Sequence, residues 1–335
     1  MSIVRVARRA RVSTATVSRV VNDSGPVKAS TRARVLEAIE AFNYSPNLHA
    51  RSLAGGENRT IGIIVSTLDN PFYLDVYRAV ERRAHHAGYE VIMAHTDYRA
   101  ERLVTSIRLM LGRRVAGLAL IVSEMDSKLI AELSAQPVPV VFYGLGSRRR
   151  HLTNIRVDYE SGMGKLAGYL YGLGHRQIGV LAHHASLEPL NTRQKAVLGA
   201  LGRYPTLRVA TAAGADTLEG GRRAARALLD GNPRLTAIVC VTDLMAIGAL
   251  WQLRVSGRRV PEDVSVTGFD NITLARFCHP ALTTVHIPRD TIGRMICDFL
   301  TNRDEAPPSH EFVIDPELVL RESAGPAPQL RRTVT

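Results

Sequence analysis

Hydrophobic positions near the amino terminus of the chain recur at helical spacing. Val17, Val20 and Val21 occupy positions i, i+3 and i+4, which places them on one face of a helix. Ser13 precedes this run, where its hydroxyl can accept a hydrogen bond from a free amide of the first turn. The pattern predicts a helix with a buried apolar face. The opposite face carries Thr14, Ala15, Ser18 and Arg19.

Two further helices complete a small domain in this interpretation. One is predicted over residues 3–10, and another over residues 31–43 with Ser30 as its cap. Short side chains and one arginine on the exposed face of the second helix suit a major groove, where arginine can bind guanine. The sequence therefore predicts a helix-turn-helix domain, although a solvated basic helix pair remains the alternative. The buried stripe of the third helix is predicted to be Val35, Leu36, Ile39 and Phe42.

A short segment follows that is too short to form a stable helix alone. Pro46 suits a first helical position and the glycine pair at 55–56 ends the helix, which leaves about nine residues. Ala50 and Ala54 allow close approach of another surface, and Leu53 offers an apolar wedge. We interpret the segment as a hinge helix that inserts Leu53 into a minor-groove step. A plain interdomain linker is the alternative.

From residue 59 onward, apolar strands alternate with amphipathic helices. A strand at 61–65 and a helix at 71–87 begin the first series, and a helix at 162–173 and a strand at 178–182 begin the second. Nearly all-apolar strands in this alternation predict parallel sheets covered on both faces. The fold class is therefore α/β, with two lobes of doubly wound parallel sheet. A ligand cleft is expected between the lobes, at the carboxyl ends of the strands.

Charge is unevenly distributed along the 335-residue chain, whose formal net charge is +12. Residues 1–56 contain nine Lys and Arg against three acidic residues, so they carry +6, and the other 279 residues carry the remaining +6. A basic terminal domain favours a polyanionic partner such as nucleic acid. A generally arginine-rich composition is the alternative, and it explains the remainder of the charge.

Cysteine usage and hydropathy restrict the compartment. Cys240, Cys278 and Cys297 are scattered and form no CxxC pattern, which argues for a reducing compartment and against a zinc site. Arginines at 5, 8, 9 and 11 interrupt any apolar leader, and no run of about 18 apolar residues could span a bilayer. We therefore expect a cytoplasmic protein with no cofactor, no metal and no membrane partner.

A series of motifs, in consistent order and spacing, covers most of the chain. On these motifs the sequence resembles the lactose-repressor (LacI/GalR) family of bacterial transcription regulators from residue 2 to about 323. The matching stretches are VSTATVSRVVN at 12–22, TRARVLEAIEAFNYSPNLHARSLAGG at 31–56, RTIGIIV at 59–65, DNPFY at 69–73, VAGLALI at 115–121, VDYESG at 157–162, LGHRQIGVL at 173–181, TDLMAIGAL at 242–250, RVPEDVSVTGFDN at 259–271 and PALTTVHIPRDTIG at 280–293.

The resemblance implies a homodimeric repressor that binds double-stranded DNA at a pseudo-palindromic operator. Thr14 and Ala15 would face bases, Arg19 would bind guanine, and Leu53 with its dimer mate would open the central base step. One departure is Arg5, which stands where the family usually has an acidic residue, and we assign it no base contact. The implied DNA-binding residues are Thr14, Ala15, Thr16, Ser18, Arg19, Asn22, Asn47, Ala50, Arg51, Leu53 and Ala54.

The resemblance also implies a small-molecule effector, a polar metabolite such as a sugar, sugar acid or other sugar derivative. Aromatic side chains would stack on a ring, Arg193 would bind as a fork, and Asp270 would accept from hydroxyls or amines. Phe72 and Tyr73 could instead be core residues, and Asp243 could be the N-cap of a helix. The implied effector-binding residues are Asp69, Phe72, Tyr73, Arg193, Asp243 and Asp270.

These patterns together predict the domain organisation. We expect a helix-turn-helix domain at 1–45, a hinge helix and linker at 46–58, an effector-binding core at 59–323 and a disordered tail at 324–335. Within the core, the first lobe is expected at about 59–158 plus 288–318, and the second lobe at about 159–287 plus 319–323.

Two other functions have limited support. Gly162, Gly164 and Ala167 spell the GxGxxA dinucleotide fingerprint of a nucleotide-cofactor enzyme. The next strand ends in two histidines without a carboxylate for a ribose, so we favour close helix packing for these small residues. A periplasmic solute-binding protein resembles the two-lobed core, but the basic helix-turn-helix and the lack of a leader argue against it. We therefore expect a regulator and not an enzyme.

Overall fold

The computed structural model describes residues 2–22, 24–44, 58–144, 153–183, 190–301 and 311–328. The chain divides into two compact units, Met1–Asn58 and Arg59–Thr335. The predicted hinge helix at 46–54 lies outside the described residues, as does the end of the chain from residue 329.

The described part of the first unit contains three helices around a core of small and β-branched side chains. Ser13 Oγ accepts a hydrogen bond from the amide of Thr16 at 3.2 Å, which confirms the predicted cap of the second helix. The helices are α1 (Ile3–Ala10), α2 (Thr14–Asn22) and α3 (Ala29–Ala41). Buried between them are Val6, Ala7, Ala10, Val17, Val20, Val35 and Ala38.

The third helix differs from its prediction at its start and on its buried face. It begins at Ala29, so Ser30 lies inside the first turn and is not the cap. Leu36 is 51% exposed, whereas Val35 and Ala38 are buried. Neighbouring side chains on a helix point about 100° apart, so Leu36 does not lie on the buried face that Val35 and Ala38 share. The predictions for Ser30 and Leu36 are therefore wrong, and the small Ala38 takes the core position.

The second unit alternates strands and helices, as the sequence predicts. Its first part contains β1 (Thr60–Val65), α4 (Pro71–His86), β2 (Glu90–His95), α5 (Ala100–Gly112), β3 (Gly117–Ile121), α6 (Ser127–Ser134), β4 (Val140–Tyr143) and β5 (Thr153–Val157). The middle part contains α7 (Tyr159–Gly172), β6 (Gln177–His183), α8 (Leu190–Gly202), β7 (Arg208–Gly214), α9 (Leu218–Gly231), β8 (Ala237–Cys240), α10 (Asp243–Val255), β9 (Ser265–Asp270), the 3-10 helix Thr273–Arg276 and β10 (Thr283–His286). The last part contains α11 (Arg289–Thr301), β11 (Glu311–Ile314) and β12 (Glu317–Val319).

The strands form one sheet in each lobe. The first-lobe sheet has the order β11-β5-β4-β3-β1-β2, and its pairings are all parallel. The second-lobe sheet has the order β12-β10-β9-β8-β6-β7, in which β12 runs antiparallel to β10 and the other pairings are parallel. Central strands such as β3, β8 and β9 are buried along their whole length, as expected for sheets covered on both faces. The predicted α/β fold is confirmed.

The described chain crosses between the lobes three times: after β5, after β10 and after β11. The third crossing comes earlier than the sequence suggests. Glu317 and Leu318 already pair with β10, at His286 and Val285. These two residues therefore belong to the second lobe, whereas we expected them in the first. A three-residue edge strand has too short a pattern to be recognised in the sequence.

Residues 324–328 pack on the second lobe and do not form a disordered tail. The amide of Gly325 donates to Ser265 Oγ at 3.0 Å, and its carbonyl oxygen is hydrogen-bonded to His175 Nε2 at 3.0 Å. The amide of Ala327 donates to the carbonyl of Leu173 at 2.9 Å. The prediction of disorder is wrong for these residues, because the backbone of this proline-rich stretch finds partners on the lobe.

Glycines allow α9 and α10 to pack with their backbones in contact. A Cβ added at Gly221 would lie 2.3 Å from the carbonyl oxygen of Met245, and one at Gly248 would lie 2.1 Å from that of Leu218. Both distances are far below van der Waals contact, and the obstructing atoms belong to the backbone. No side chain can therefore be accommodated at either position without separating the two helices.

We expect Gly221→Ala to lower the free energy of unfolding by about 1–3 kcal/mol, because the new methyl group overlaps the backbone of α10. Gly231→Ala, at the end of the same helix, is the matched control, because nothing lies within 4 Å of its added Cβ. That change should be neutral or stabilise the protein by up to about 1 kcal/mol. Urea denaturation of the full chain measures both; equal midpoints would contradict the tight packing.

Candidate functional site

The carboxyl ends of strands from both lobes face a common cleft, as the sequence predicts. The end of β3 and the first turn of α4 contribute from the first lobe, and the end of β9 contributes from the second. The empty space in this cleft is about 340 Å³, a figure that includes the part open to solvent. It is lined by Asn70, Phe72, Tyr73, Ile121, Val122, Ser123, Tyr143, Arg193, Asp216, Thr242 and Asp270.

A buried ion pair lies on the second-lobe side of the cleft. Arg193 Nη1 is 3.2 Å from Asp270 Oδ1, donates to the carbonyl of Val241 at 2.7 Å, and its guanidinium lies over the ring of Phe269. Burial alone would lower the pKa of Arg193, but the charge of Asp270 holds that pKa above its ordinary value. Burial raises the pKa of Asp270 to about 6, although Arg193 opposes this effect. Both groups are therefore charged at neutral pH.

The backbone that carries Asp270 is held in an unusual conformation. Asp270 and the following Asn271 have φ values of 113° and 54°. Arg289 donates to the carbonyl oxygens of both residues, at 2.5 and 2.9 Å. Its Nε also lies 3.3 Å from Asp75 Oδ2 on α4 of the first lobe. A single guanidinium therefore supports this turn and connects it to the opposite lobe.

Aromatic rings line the first-lobe side of the cleft. Phe72 packs edge-on against Tyr73, with ring centroids 5.5 Å apart, and lies 5.8 Å from the ring of Tyr143. Burial raises the pKa of both tyrosines, so their hydroxyls remain protonated and able to donate hydrogen bonds. Phe72 and Tyr73 also belong to the continuous core of this unit. Phe72 and Tyr73 therefore line the cleft and also form part of the hydrophobic core.

Asp216 joins the two lobes across the cleft. Its Oδ2 accepts hydrogen bonds from Asn70 Nδ2 at 3.1 Å and from the Tyr98 hydroxyl at 3.4 Å, both in the first lobe. Its Oδ1 accepts a hydrogen bond from the hydroxyl of Thr242 at 2.6 Å, in the second lobe. Asn70 also caps α4 by accepting from the amide of Phe72 at 3.0 Å. The described structure is therefore a closed form in which the lobes touch through side chains.

Several buried polar atoms at the cleft lack hydrogen-bond partners among the described residues. Ser123 Oγ is fully buried without a partner in the described ranges, whereas Tyr143 Oη and Arg193 Nε make no bond of ordinary geometry although both side chains lie close to the Tyr159 hydroxyl. Buried polar groups are almost always satisfied in folded proteins, by protein, water or ligand. Their concentration at one cavity indicates that a polar molecule completes the site.

Two of the predicted effector-binding residues do not line the cleft. Asp69 is exposed, and its amide donates to Thr67 Oγ1 at 3.1 Å. Asp243 is buried away from the cavity lining, where it accepts hydrogen bonds from the amide of Ile272 at 2.8 Å and from Thr284 Oγ1 at 2.5 Å. It is not the N-cap either, because Thr242 accepts the capping bond from the amide of Met245. These two predictions are therefore not supported.

The dinucleotide fingerprint does not form a phosphate-binding turn. Gly162, Gly164 and Ala167 all lie within α7, which begins at Tyr159. A Cβ at Gly162 would meet Pro316 and Val285 at 3.0–3.2 Å, which confirms close packing as the reason for a small residue there. Among the described residues, no cluster of His, Cys, Asp and Glu could hold a metal ion. The helices in the described ranges include none long and apolar enough to cross a membrane.

The surface of α2 presents several of the side chains predicted to contact DNA. Thr14, Ala15 and Arg19 are exposed, whereas Thr16 and Ser18 are partly buried. Outside the described residues lie the side chain of Asn22 and the whole of Asn47, Ala50, Arg51, Leu53 and Ala54.

Comparison with known proteins places both units in one family. The profile of bacterial regulatory proteins of the lacI family matches residues 2–47, and that of the periplasmic binding protein-like domain matches residues 167–324. The HTH-type transcriptional repressor PurR of Escherichia coli O1:K1 is 34% identical over 333 residues, which cover 96% of each chain. The chain belongs to the LacI/GalR family of transcription regulators.

Solved structures share the fold of this LacI-family chain. The Lac repressor dimer bound to operator and the anti-inducer ONPF is 28% identical, with a TM-score of 0.85, and the match covers 97% of this chain and 99% of that one. The complex of the transcriptional regulator CelR with cellobiose is 29% identical, with a TM-score of 0.70, and covers 97% and 100%. The similarity therefore extends over both units.

Arg5 is the position at which this LacI-family chain departs from the usual first helix. Its guanidinium lies 5.3 Å from the ring centroid of Phe42, and that of Arg9 lies 5.7 Å from the same ring. Cations over an aromatic face are attracted by the ring quadrupole. Arg5 therefore has a partner on its own domain, in agreement with our assigning it no base contact.

We expect Asp243→Asn to remove a pH dependence of stability. Burial, reinforced by the charge of Asp270, raises the pKa of Asp243 to about 8, whereas the unfolded chain releases this proton near pH 4. The contribution of this group to stability is full below about pH 4 and is lost as the pH rises through about 8.

Free energies of unfolding at pH 6, 7 and 8 test this expectation. Relative to Asp243→Asn, the unsubstituted protein should lose up to about 1.4 kcal/mol per pH unit. Asp263→Asn is the control, because Arg259 lowers the pKa of Asp263 to about 2 and the group does not titrate in this range. A constant difference across the range would contradict the protonated state of Asp243.

Proposed function

We propose that this chain is a repressor that binds a pseudo-palindromic operator as a homodimer, with an affinity set by a small polar molecule in the interlobe cleft. The observation that carries the DNA-binding part is the face of α2, where Thr14, Ala15 and Arg19 are exposed. Its backbone is fixed by the Ser13 cap and by the buried valines behind it. A helix presented in this way can enter a major groove with its amino-terminal residues first.

The proposed division of labour follows the expected domains. Residues 1–45 read the operator, residues 46–58 form the hinge, and residues 59–323 bind the effector. Effector binding changes the closure of the lobes and with it the distance between the two first lobes of the dimer. That distance decides whether the two hinge segments pair and order on DNA, so one equilibrium couples the cleft to the operator.

The proposed effector is a sugar or sugar derivative. Aromatic rings on one side of the cleft and the Arg193–Asp270 pair on the other suit a ring that carries several hydrogen-bonding groups. A relative supports this class, because the transcriptional regulator CelR is complexed with cellobiose. We further propose that the chain acts in the cytoplasm and has no catalytic activity, since its relatives are transcription regulators.

The proposed dimer has a candidate contact surface on the second lobe. Trp251, the single tryptophan of the chain, is 52% exposed, and Arg222 lies over its ring. Phe277, after the 3-10 helix, is 74% exposed. Large exposed apolar side chains of this kind are candidates for protein–protein contacts. Other exposed apolar side chains of α9, α10 and the 3-10 helix are Leu218, Val255 and Leu274.

Arg19→Ala should relax base preference at one position of each operator half-site, at a cost of about 1–3 kcal/mol for the preferred base. Lys28→Ala, a charge change at the exposed start of α3, should weaken binding to every sequence alike and reduce the salt dependence. Fluorescence anisotropy with single-base operator variants at fixed salt separates the two effects. Equal losses on all operator variants for Arg19→Ala would remove its assignment to a base.

Phe277→Glu should shift the protein from dimer toward monomer, because it would bury a charge in an apolar contact. Val209→Glu, on the edge strand β7, introduces the same charge at an exposed apolar position outside the proposed surface. Sedimentation velocity measures the association state of both variants. A Phe277→Glu protein that dimerises as strongly as the unsubstituted chain would exclude this surface.

A further inference from the structure

Among the described residues, the cleft contains more buried carboxylates than guanidinium groups free to balance them. The guanidinium of Arg193 is already paired with Asp270. That of Arg289 already binds Asp75 and two backbone carbonyls. Asp216 is only 4% exposed, and among the described residues it forms no ion pair. Its three hydrogen-bond donors, Asn70, Tyr98 and Thr242, are all neutral.

A second buried carboxylate, Glu124 of the first lobe, does not line the cavity but follows the cavity-lining Ser123. Glu124 follows β3 and is buried, and its Oε2 accepts from Ser66 Oγ at 2.8 Å and from the amide of Ser123 at 3.0 Å, while Thr96 donates to Oε1. Its donors are neutral as well. A charge surrounded by neutral donors in a low-dielectric site acts on any other charge brought near it.

Ser123 supplies an independent sign that a molecule binds next to these carboxylates. It is 3% exposed, it lines the cavity, and its hydroxyl has no hydrogen-bond partner among the described residues. Asp216 uses three of the roughly four acceptor positions of a carboxylate. One acceptor position of Asp216 and the hydroxyl of Ser123 are therefore available to a ligand.

We propose that Asp216 determines the charge class of the effector: the cleft takes an uncharged or cationic ring compound that donates a hydrogen bond to this carboxylate, and it rejects anionic analogues. This inference rests on the proposed effector function: it restricts the sugars by charge and also admits nitrogen heterocycles of the same charge class. Sugar acids and phosphate esters are excluded, whereas neutral sugars, amino sugars and neutral or protonated nitrogen heterocycles fit. An anionic ligand would bring a further negative charge beside Asp216, and the part of the chain that the structure describes offers no free guanidinium to balance it.

Asp216 links this selectivity to closure of the lobes. The carboxylate that meets the ligand is the same one that accepts hydrogen bonds from Asn70 and Tyr98 of the opposite lobe. An anionic ligand would repel the group on which the closed form depends. Charge selection and lobe closure are therefore expected to fail together when Asp216 is changed.

The test uses matched compounds that differ in charge but keep the ring. Glucosamine, glucose and glucuronate form one series, galactosamine, galactose and galacturonate a second, and adenine, hypoxanthine and orotate a third. Binding to the full-length protein is measured by thermal shift and calorimetry at fixed salt and neutral pH. In every series that binds, the anionic member should bind at least about tenfold more weakly than the uncharged one.

Three variants separate the role of Asp216 from general damage. Asp216→Asn should reduce the discrimination between uncharged and anionic members to less than about threefold, and should weaken binding overall. Ser123→Ala should weaken binding without changing the discrimination. Asp230→Asn removes a charge from an exposed position on α9 and should change neither quantity.

The outcomes decide the proposal. An anionic member that binds as tightly as its uncharged partner overturns it, and so does unchanged discrimination in Asp216→Asn. If no uncharged or cationic compound binds while operator binding is intact, the assigned ligand class is wrong and the DNA-binding function stands. Loss of operator binding in the unsubstituted protein would instead contradict the proposed function itself.

Discussion

Burial of carboxylates at the ends of parallel strands is the constraint on which the cleft depends. An ionised carboxylate inside a protein must be paired or extensively hydrogen-bonded, or it must take up a proton. Three solutions occur side by side here. Asp270 is paired with Arg193, and Asp216 is surrounded by neutral hydrogen-bond donors. Asp243 keeps its proton at neutral pH because burial raises its pKa to about 8. Each solution fixes the position of the strand end that carries it.

Much of this arrangement could be predicted from hydrophobic periodicity and family motifs. The strand–helix alternation predicts the parallel sheets, and the family resemblance implies Arg193 and Asp270 as cleft residues, whereas their ion pair is seen only in the structure. The failures concern residues whose surroundings a one-dimensional pattern does not contain. Thr242 and Asp243 are adjacent and both polar, and only the packing of α10 decides that the first is the cap and the second is buried.

Asn70, Ser123 and Asp216 were missed for a related reason. Polar residues after strands are common helix caps and turn formers, and Asn70 does act as a cap. Its second bond, to Asp216, joins residues 146 positions apart in the sequence. A contact between residues so far apart in the sequence depends on how the two lobes close. The hydrophobic periodicity of single helices and strands contains no information about that closure. The useful signal would have been a polar residue at every strand end of both lobes, considered as one set.

The three crossings between the lobes have a consequence for synthesis on the ribosome. Strands β6 to β10 of the second lobe are consecutive in the chain, so all five can pair once residue 286 has emerged, before the edge strand β12 is added. The first-lobe sheet begins earlier but must wait for β11, because residues 311–314 pair with β5 at 154–157. During that interval the edge of β5 and the face awaiting α11 remain uncovered. The earliest part of the core to be translated is therefore among the last to be protected from aggregation.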